Sequence, residues 1–145
     1  MRKGFTLVEL SIVLVIIGLL LGGVLKGKAM IENSKIKRVK SDIDGIVAAV
    51  NTYQDRYGAF PGDDPIVRTF GSETIPAGNG NGLINAAEQP HVWRALIGAG
   101  LVAGDASKTV EKEVAKRSPY GGAYLFRYGS YGCLLYTSPS PRDRT

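Results

Sequence analysis

The feature that most constrains this chain is an apolar run near its start that contains one carboxylate. Residues 5–25 form a run of 21 residues in which Glu9 is the only charged side chain. As an α-helix this run is roughly 30 Å long, about the thickness of a bilayer core. An unpaired carboxylate inside a membrane helix costs roughly 2.5 to 3.5 kcal/mol. The run therefore predicts a membrane-spanning helix, and Glu9 is its candidate functional residue.

Two simpler targeting signals share part of this pattern. A secretory signal peptide also begins with basic residues before an apolar stretch, and Gly27-Lys28-Ala29 is similar to its small-residue cleavage site. However, a signal peptide has a shorter apolar stretch and does not account for Glu9. An ordinary signal anchor explains the helix but does not need Gly4, Phe5 and Glu9 together.

The segment Lys3-Gly4-Phe5-Thr6-Leu7-Val8-Glu9-Leu10 resembles the processing signal of the type IV pilin and type II secretion pseudopilin superfamily. The resemblance implies that a prepilin peptidase removes a leader, residues 1–4, by cutting between Gly4 and Phe5. It further implies that the new N-terminal Phe5 is N-methylated and that Glu9 pairs with the amino group of a neighbouring subunit. The physical argument agrees, because cleavage creates a cation at Phe5 and a buried cation and anion lower each other's cost.

The resemblance also implies a function. We expect a structural subunit of a type IV filament that is polymerised through its N-terminal helix; a pseudopilin of a type II secretion system and a DNA-uptake (competence) pilin are the alternatives. Expected partners are prepilin peptidase, identical or related pilin subunits, inner-membrane lipid and an assembly platform. Arg2 and Lys3 place the N terminus in the cytoplasm and the head outside it, although Lys26 and Lys28 beyond the run weaken this asymmetry.

After the membrane-spanning and filament-core helix (5–25), the spacing of apolar residues predicts an amphipathic continuation over 26–57. Gly58 and Pro61 then end the helix. The predicted apolar stripe comprises Ile31, Lys35, Ile36, Val39, Ile43, Ile46, Val47, Val50 and Tyr53, and the predicted polar face comprises Lys37, Arg38, Lys40, Asp42 and Asp44.

Residues 58–132 are rich in glycine, proline, asparagine and aspartate, which predicts a small, loop-rich head. The overall class is α+β, with the long helix packed against this head and a short antiparallel sheet within it. Trp93, Leu96, Ile97 and Leu101 predict a short helix that closes over the apolar stripe, and Val110 and Val114 predict another. The segment 124–128, bracketed by glycines, predicts a strand.

One segment of the head, 77–88, has the spacing of a calcium-binding loop. Asn79 and Asn81 fall on its third and fifth positions, and Glu88 on its closing twelfth. The first position is not acidic, so Asp63 and Asp64 are candidates to complete a calcium site. The alternative needs no metal, because Asn-Gly pairs form tight turns and Asn85 with Glu88 has capping-box spacing.

Other chemistry finds little support in the sequence. The net charge of +5 becomes +3 after removal of a leader that contains Arg2 and Lys3, so nucleic acid is not an expected partner. No enzymatic site is expected: His91 is the single histidine, and its predicted place is a helix surface.

The tail, residues 133–145, differs sharply in composition from the residues before it. It is similar to a translated sequencing-adapter end, which favours a non-native tail on a head truncated near Gly132. The alternative is a disordered terminus rich in serine and proline. With Cys133 as the single cysteine, no intrachain disulfide is expected.

Overall fold

The computed structural model describes residues 4–129 and 132–137. The described elements are α1 (Leu7–Tyr57), β1 (Arg68–Phe70), β2 (Glu73–Ile75), α2 (Gln89–Gly98), α3 (Glu111–Val114), β3 (Tyr124–Gly129) and β4 (Gly132–Thr137). β1 pairs with β2 and β3 with β4, both antiparallel. By internal contacts the chain divides into two compact units, residues 1–38 and 39–145. The predicted α+β class, with a long N-terminal helix and a short antiparallel sheet, is confirmed.

The first unit contains the N-terminal part of α1. The helix begins at Leu7, and its first backbone hydrogen bond runs from the Leu10 amide to the Thr6 carbonyl at 3.2 Å. Every side chain from Leu7 to Leu25 is exposed, although nearly all are apolar. α1 is long and apolar enough to cross a membrane, and no part of its most apolar window is buried. Soluble monomers rarely expose so large a contiguous apolar surface.

The second unit has its own hydrophobic core. The C-terminal part of α1 contributes Ile46, Ala49 and Tyr53, α2 contributes Val92, Trp93 and Leu96, and β3 contributes Tyr124, Leu125 and Phe126. The indole nitrogen of Trp93 donates a hydrogen bond to the Tyr124 carbonyl at 3.0 Å, and the Trp93 and Phe126 rings lie 5.3 Å apart. The predicted packing of the tryptophan helix against the apolar stripe is therefore found within one core.

The predicted helix around Trp93 is confirmed as α2, and its end at Gly98 leaves Leu101 just beyond the helix. Gly100 has a φ of 71°, and its amide donates to the Ile97 carbonyl at 2.9 Å. The Leu101 amide donates to the Leu96 carbonyl at 3.0 Å, which completes a Schellman motif. Leu101 still packs against the core, because this motif folds the chain back over the last turn.

The assignment of Asp42 to the polar face of α1 was wrong. Asp42 is buried, with 8% exposure, and it shares the core-facing side of the helix with Ile46, Ala49 and Tyr53 at spacings of four, three and four residues. Its carboxylate forms an ion pair with Lys116 at 2.7 Å and accepts a hydrogen bond from the Tyr124 hydroxyl at 3.3 Å. These two partners allow the charge to be buried. Val47, predicted to lie in the apolar stripe, is instead 50% exposed.

The predicted strand over 124–128 lies within β3, which pairs with β4 from Tyr124 opposite Thr137 to Gly129 opposite Gly132. β4 includes the first residues of the tail whose composition predicts a non-native origin. The hydrogen bonds between paired strands join backbone groups whatever the side chains are. This pairing therefore does not test the predicted non-native origin of the tail. Residues 138–145 of the tail lie outside the described residues.

Candidate functional site

The residues predicted for processing lie immediately before α1. Gly4, Phe5 and Thr6 are not helical, and Phe5 is 91% exposed. A side-chain carbon added at Gly4 would meet no atom within 4 Å. The bond between Gly4 and Phe5 therefore lies in open, non-helical backbone, which a peptidase requires of its substrate.

Glu9 lies in the first turn of α1, where it forms a capping box with Thr6. The Thr6 amide and the Thr6 hydroxyl both donate to Oε2 of Glu9, at 2.9 and 2.8 Å. In return the Glu9 amide donates to the Thr6 hydroxyl oxygen at 3.3 Å. A capping box satisfies helix N-terminal amides that have no partner in the helix. The sequence carries the signal for this box, a threonine three residues before a glutamate at the start of an apolar run.

The predicted metal ligands lie around the turn that contains Asn79 and Asn81. The Gly80 amide donates to one carboxylate oxygen of Asp63 at 2.8 Å, and the Gly82 amide donates to the other at 2.7 Å. Asp63 is only 2% exposed. The side-chain oxygen of Asn79 accepts a hydrogen bond from the Asn81 amide at 3.0 Å, and that of Asn81 accepts one from the Leu83 amide at 2.8 Å.

Glu88 closes the same turn from the other side. Its two carboxylate oxygens accept hydrogen bonds from the Asn79 amide at 3.1 Å and the Asn85 amide at 2.9 Å. The Glu88 amide donates to the Asn85 side-chain oxygen at 3.1 Å, so Asn85 and Glu88 form a reciprocal box in the turn before α2. The structure thus brings Asp63, Asn79, Asn81 and Glu88 together through backbone amides.

Asp64 has different partners. Its carboxylate accepts a hydrogen bond from the Ile66 amide at 3.0 Å and forms an ion pair with Arg68 at 2.6 Å. The guanidinium of Arg68 also lies 5.0 Å from the centre of the Tyr57 ring. Burial raises the pKa of the neighbouring Tyr53 to about 12, and the negative charge of Asp64 adds to that rise.

These hydrogen bonds account for the loop as a set of turns and caps. Among the described residues, no group of three or more histidine, cysteine, aspartate or glutamate side chains is placed to hold a metal ion. A calcium loop also uses amide and backbone carbonyl oxygens, so calcium binding at Asp63, Asn79, Asn81 and Glu88 stays a prediction. Asp64 is held by Arg68 and would contribute only after that ion pair opened.

His91 lies in the first turn of α2 and is half-buried rather than on an open helix surface. Its Nδ1 atom is buried and has no hydrogen-bond partner within the part of the chain that the structure describes. Burial lowers the pKa of His91, nearby Arg94 lowers it further, and Glu88 opposes the shift. Helical periodicity alone does not reveal this burial.

Comparison with known proteins gives one match, to the N-terminal segment. Residues 1–25 match the family model of the prokaryotic N-terminal methylation motif. No curated protein and no solved structure matches the chain. Residues 1–25 therefore carry the prepilin signal of the type IV pilin and pseudopilin superfamily, as the sequence predicted.

Proposed function

We propose that this protein is a structural subunit of a type IV filament. It is stored in the inner membrane, cut by prepilin peptidase between Gly4 and Phe5, and polymerised through α1. One observation carries the proposal: the methylation motif over residues 1–25 coincides with the start of α1, where every apolar side chain from Leu7 to Leu25 is exposed. A family signal of this kind belongs to a structural protein of the pilin type rather than to an enzyme.

The exposed apolar part of α1 requires a cover. Lipid tails provide it while the subunit is stored, because the run of 21 residues matches the bilayer core. Helices of identical or related subunits replace the lipid when the filament grows. The basic leader holds the N terminus on the cytoplasmic side, which leaves the second unit periplasmic or, after assembly, extracellular.

Glu9 supports both stages of this cycle. In the single chain its carboxylate accepts two hydrogen bonds from Thr6, so it enters the membrane with partners of its own. Cleavage then creates an ammonium group at Phe5, the only cation within a run that has no other charged residue besides Glu9. In the filament we infer that the Phe5 amine of a neighbouring subunit pairs with Glu9 and replaces hydrogen bonds from uncharged Thr6 donors by an ion pair.

The same signal precedes pseudopilins of type II secretion systems, which form the first alternative. A DNA-uptake pilin is the second, and the charge distribution weighs against it. Residues 26–38 carry five basic side chains and one acidic side chain, whereas the head, residues 58–132, carries seven of each. The head therefore has no net positive charge with which to attract a phosphate backbone. A secretion operon or a competence operon around the gene would separate the alternatives.

The proposal is tested by co-expressing the full chain with a prepilin peptidase and measuring its intact mass. We expect loss of residues 1–4 and the mass of one methyl group on Phe5. The matched control is Gly4→Leu, which should block cleavage and leave membrane insertion intact, since it adds a bulky side chain only beside the scissile bond. A chain that keeps its leader in the presence of active peptidase would contradict the proposal.

A further inference from the structure

The sequence contains two Asn-Gly dipeptides, Asn79-Gly80 and Asn81-Gly82, and both lie in one exposed turn. Asparagine is a thermolabile residue, and the glycine that follows it makes it more so. Glycine lacks a side chain, so its backbone nitrogen can approach the asparagine side-chain carbonyl carbon with little hindrance. Because the turn is exposed, water has free access to both dipeptides, and burial does not protect them.

The structure shows how the two glycine nitrogens are held. The Gly80 amide donates to Oδ1 of Asp63 at 2.8 Å, and the Gly82 amide donates to Oδ2 at 2.7 Å. These are the two atoms that would attack Asn79 and Asn81. Asp63 is 2% exposed, so a single buried carboxylate holds both potential nucleophiles.

We propose that Asp63 protects Asn79 and Asn81 from deamidation by keeping the two glycine nitrogens protonated and bound to its carboxylate. In the reaction that it prevents, the Gly80 nitrogen loses its proton to a base in the solvent and bonds to Cγ of Asn79. The Cγ–Nδ2 bond breaks, and ammonia leaves with a proton from water. Water then opens the succinimide to aspartate or isoaspartate. Gly82 and Asn81 react in the same way.

The carboxylate opposes the first step electrostatically. Removal of the amide proton from Gly80 or Gly82 would leave a nitrogen anion less than 3 Å from a carboxylate oxygen, with no proton between them. A like charge at that distance disfavours ionisation. The charge-assisted hydrogen bond that exists before ionisation is in addition stronger than one to a neutral acceptor.

The asparagine side chains are also held by hydrogen bonds of their own. The side-chain oxygen of Asn79 accepts a hydrogen bond from the Asn81 amide at 3.0 Å, and that of Asn81 accepts one from the Leu83 amide at 2.8 Å. Each side-chain amide is thus folded over the residue two positions ahead. Each bond restricts the rotation of its own asparagine side chain and so opposes the rearrangement that attack on Cγ requires.

Packing keeps the turn closed. A side-chain carbon at Gly78 would lie 2.5 Å from the Asp63 Cα atom, which shows how closely the two backbones approach. The Gly78 amide donates to the Asp64 carbonyl at 2.7 Å. Deamidation therefore requires a local opening in which the turn separates from Asp63 and Asp64.

Because one carboxylate protects both asparagines, deamidation of one should weaken the protection of the other. Isoaspartate at position 79 would insert an extra main-chain carbon directly before Gly80 and shift its amide away from Asp63. The new carboxylate would also lie near Asp63 and Glu88, whose like charges disfavour the closed turn. Release of the turn then exposes Asn81, so deamidation at one site should accelerate deamidation at the other.

The test compares deamidation of the full chain in detergent and in concentrated urea at one weakly alkaline pH. Intact mass gives the total rate, and peptide mapping assigns aspartate and isoaspartate to each site. In the folded chain we expect each site to deamidate at roughly one tenth of its rate in urea, or more slowly still. A tenfold difference corresponds to a closed turn favoured by ~1.4 kcal/mol. Equal rates in the two conditions would overturn the proposal.

The variant Asp63→Asn separates the carboxylate from folding in general. It should raise both rates in detergent toward the rate in urea, because an amide offers one acceptor oxygen and no charge. The matched control Ile46→Val removes a buried methylene from the core without touching any hydrogen bond of the turn, and it should leave both rates at the wild-type value. Unchanged rates in Asp63→Asn would overturn the proposal, and slower rates would show that Asp63 acts as a base instead.

If Asp63→Asn does not fold, hydrogen exchange of the wild-type chain decides the matter. Slow exchange at the Gly80 and Gly82 amides, with fast exchange at exposed amides of the same turn, supports protection by Asp63. Exchange of both glycine amides at the rate of an unstructured peptide overturns it.

Discussion

Thr6 and Glu9 cap one another at the start of α1. The amide and hydroxyl of Thr6 donate to the same carboxylate oxygen at 2.9 and 2.8 Å, and the Glu9 amide returns a bond to the Thr6 hydroxyl. The carboxylate predicted to pair with a neighbouring Phe5 amine therefore has partners in its own chain. Because these donors belong to the same chain, they stay with Glu9 in the membrane. They therefore reduce the free-energy cost of placing its carboxylate in lipid before any neighbouring subunit binds.

The variant Glu9→Val tests the assembly role of this carboxylate. It removes the charge and makes α1 more apolar, so membrane insertion should be preserved while incorporation into filaments falls sharply. The measurement compares the amount of subunit in membranes and in sheared filaments after expression with a complete assembly system. Normal incorporation of Glu9→Val would indicate an ordinary anchor.

Thr6→Ala is the matched control, because it removes the hydroxyl that bonds to Glu9 and keeps the carboxylate. Loss of a helix cap costs about 1 kcal/mol of helix stability. Only the hydroxyl donor is lost, since the amide of residue 6 can still donate to Glu9. We expect incorporation to fall much less than in Glu9→Val, because the inferred pairing of Glu9 with a neighbouring amine is retained. An equal loss in both variants would assign the role of Glu9 to helix capping alone.

Trp93 should be the most sensitive single position of the second unit. It is fully buried, and its indole nitrogen donates to the Tyr124 carbonyl. Trp93→Phe should lower the free energy of unfolding by roughly 2 kcal/mol, since it leaves a cavity and a buried carbonyl without its donor. Scanning calorimetry of the full chain in detergent measures this loss. Ile66→Val, at a side chain 57% exposed, should change stability by less than about 0.5 kcal/mol.

Local patterns in the sequence predicted the long helix, the tryptophan helix and the strand over 124–128. Each rests on periodicity or on glycine and proline signals within a few residues. The burial of Asp42 could not be predicted in this way, because its partner Lys116 lies 74 residues further along the chain. Helical periodicity alone places a charged residue such as Asp42 on the polar face, because it carries no information about a distant counter-charge.

The head loop shows the same limit in a different form. The spacing of Asn79, Asn81 and Glu88 fits both a calcium loop and a set of turns, and Asp63 joins either arrangement. Only the three-dimensional arrangement shows that Asp63 accepts hydrogen bonds from two amides nearly twenty residues away. The N-terminal signal needed no such information, since all of its functional residues are adjacent in sequence.

His91 predicts a pH dependence of stability. Burial lowers its pKa below the ordinary value of 6.5, so the unfolded chain binds a proton that the folded chain rejects. The stabilising contribution is therefore fully present above that value and is lost as the pH falls through the lowered pKa. Calorimetry between roughly pH 8 and pH 5 should show a decline that is smaller in His91→Gln. Parallel curves for the two proteins would contradict this assignment.

Calcium binding at the head loop can be separated from the turn-and-cap arrangement by melting the full chain in millimolar calcium and in chelator. Bound calcium should stabilise the folded state by roughly 2.7 kcal/mol at one hundred times its Kd. The quantity that discriminates is the difference between the two conditions, because Glu88→Gln also removes an acceptor of the Asn79 or Asn85 amide whether or not a metal binds.

The calcium prediction requires a difference in melting temperature that disappears in Glu88→Gln and survives in Asn85→Ala. A calcium loop depends most on its closing bidentate carboxylate, whereas the reciprocal box needs both residues. Equal melting temperatures in calcium and chelator would contradict calcium binding. The hydrogen bonds that Asp63 and Glu88 accept from the turn would then be their whole contribution to the head.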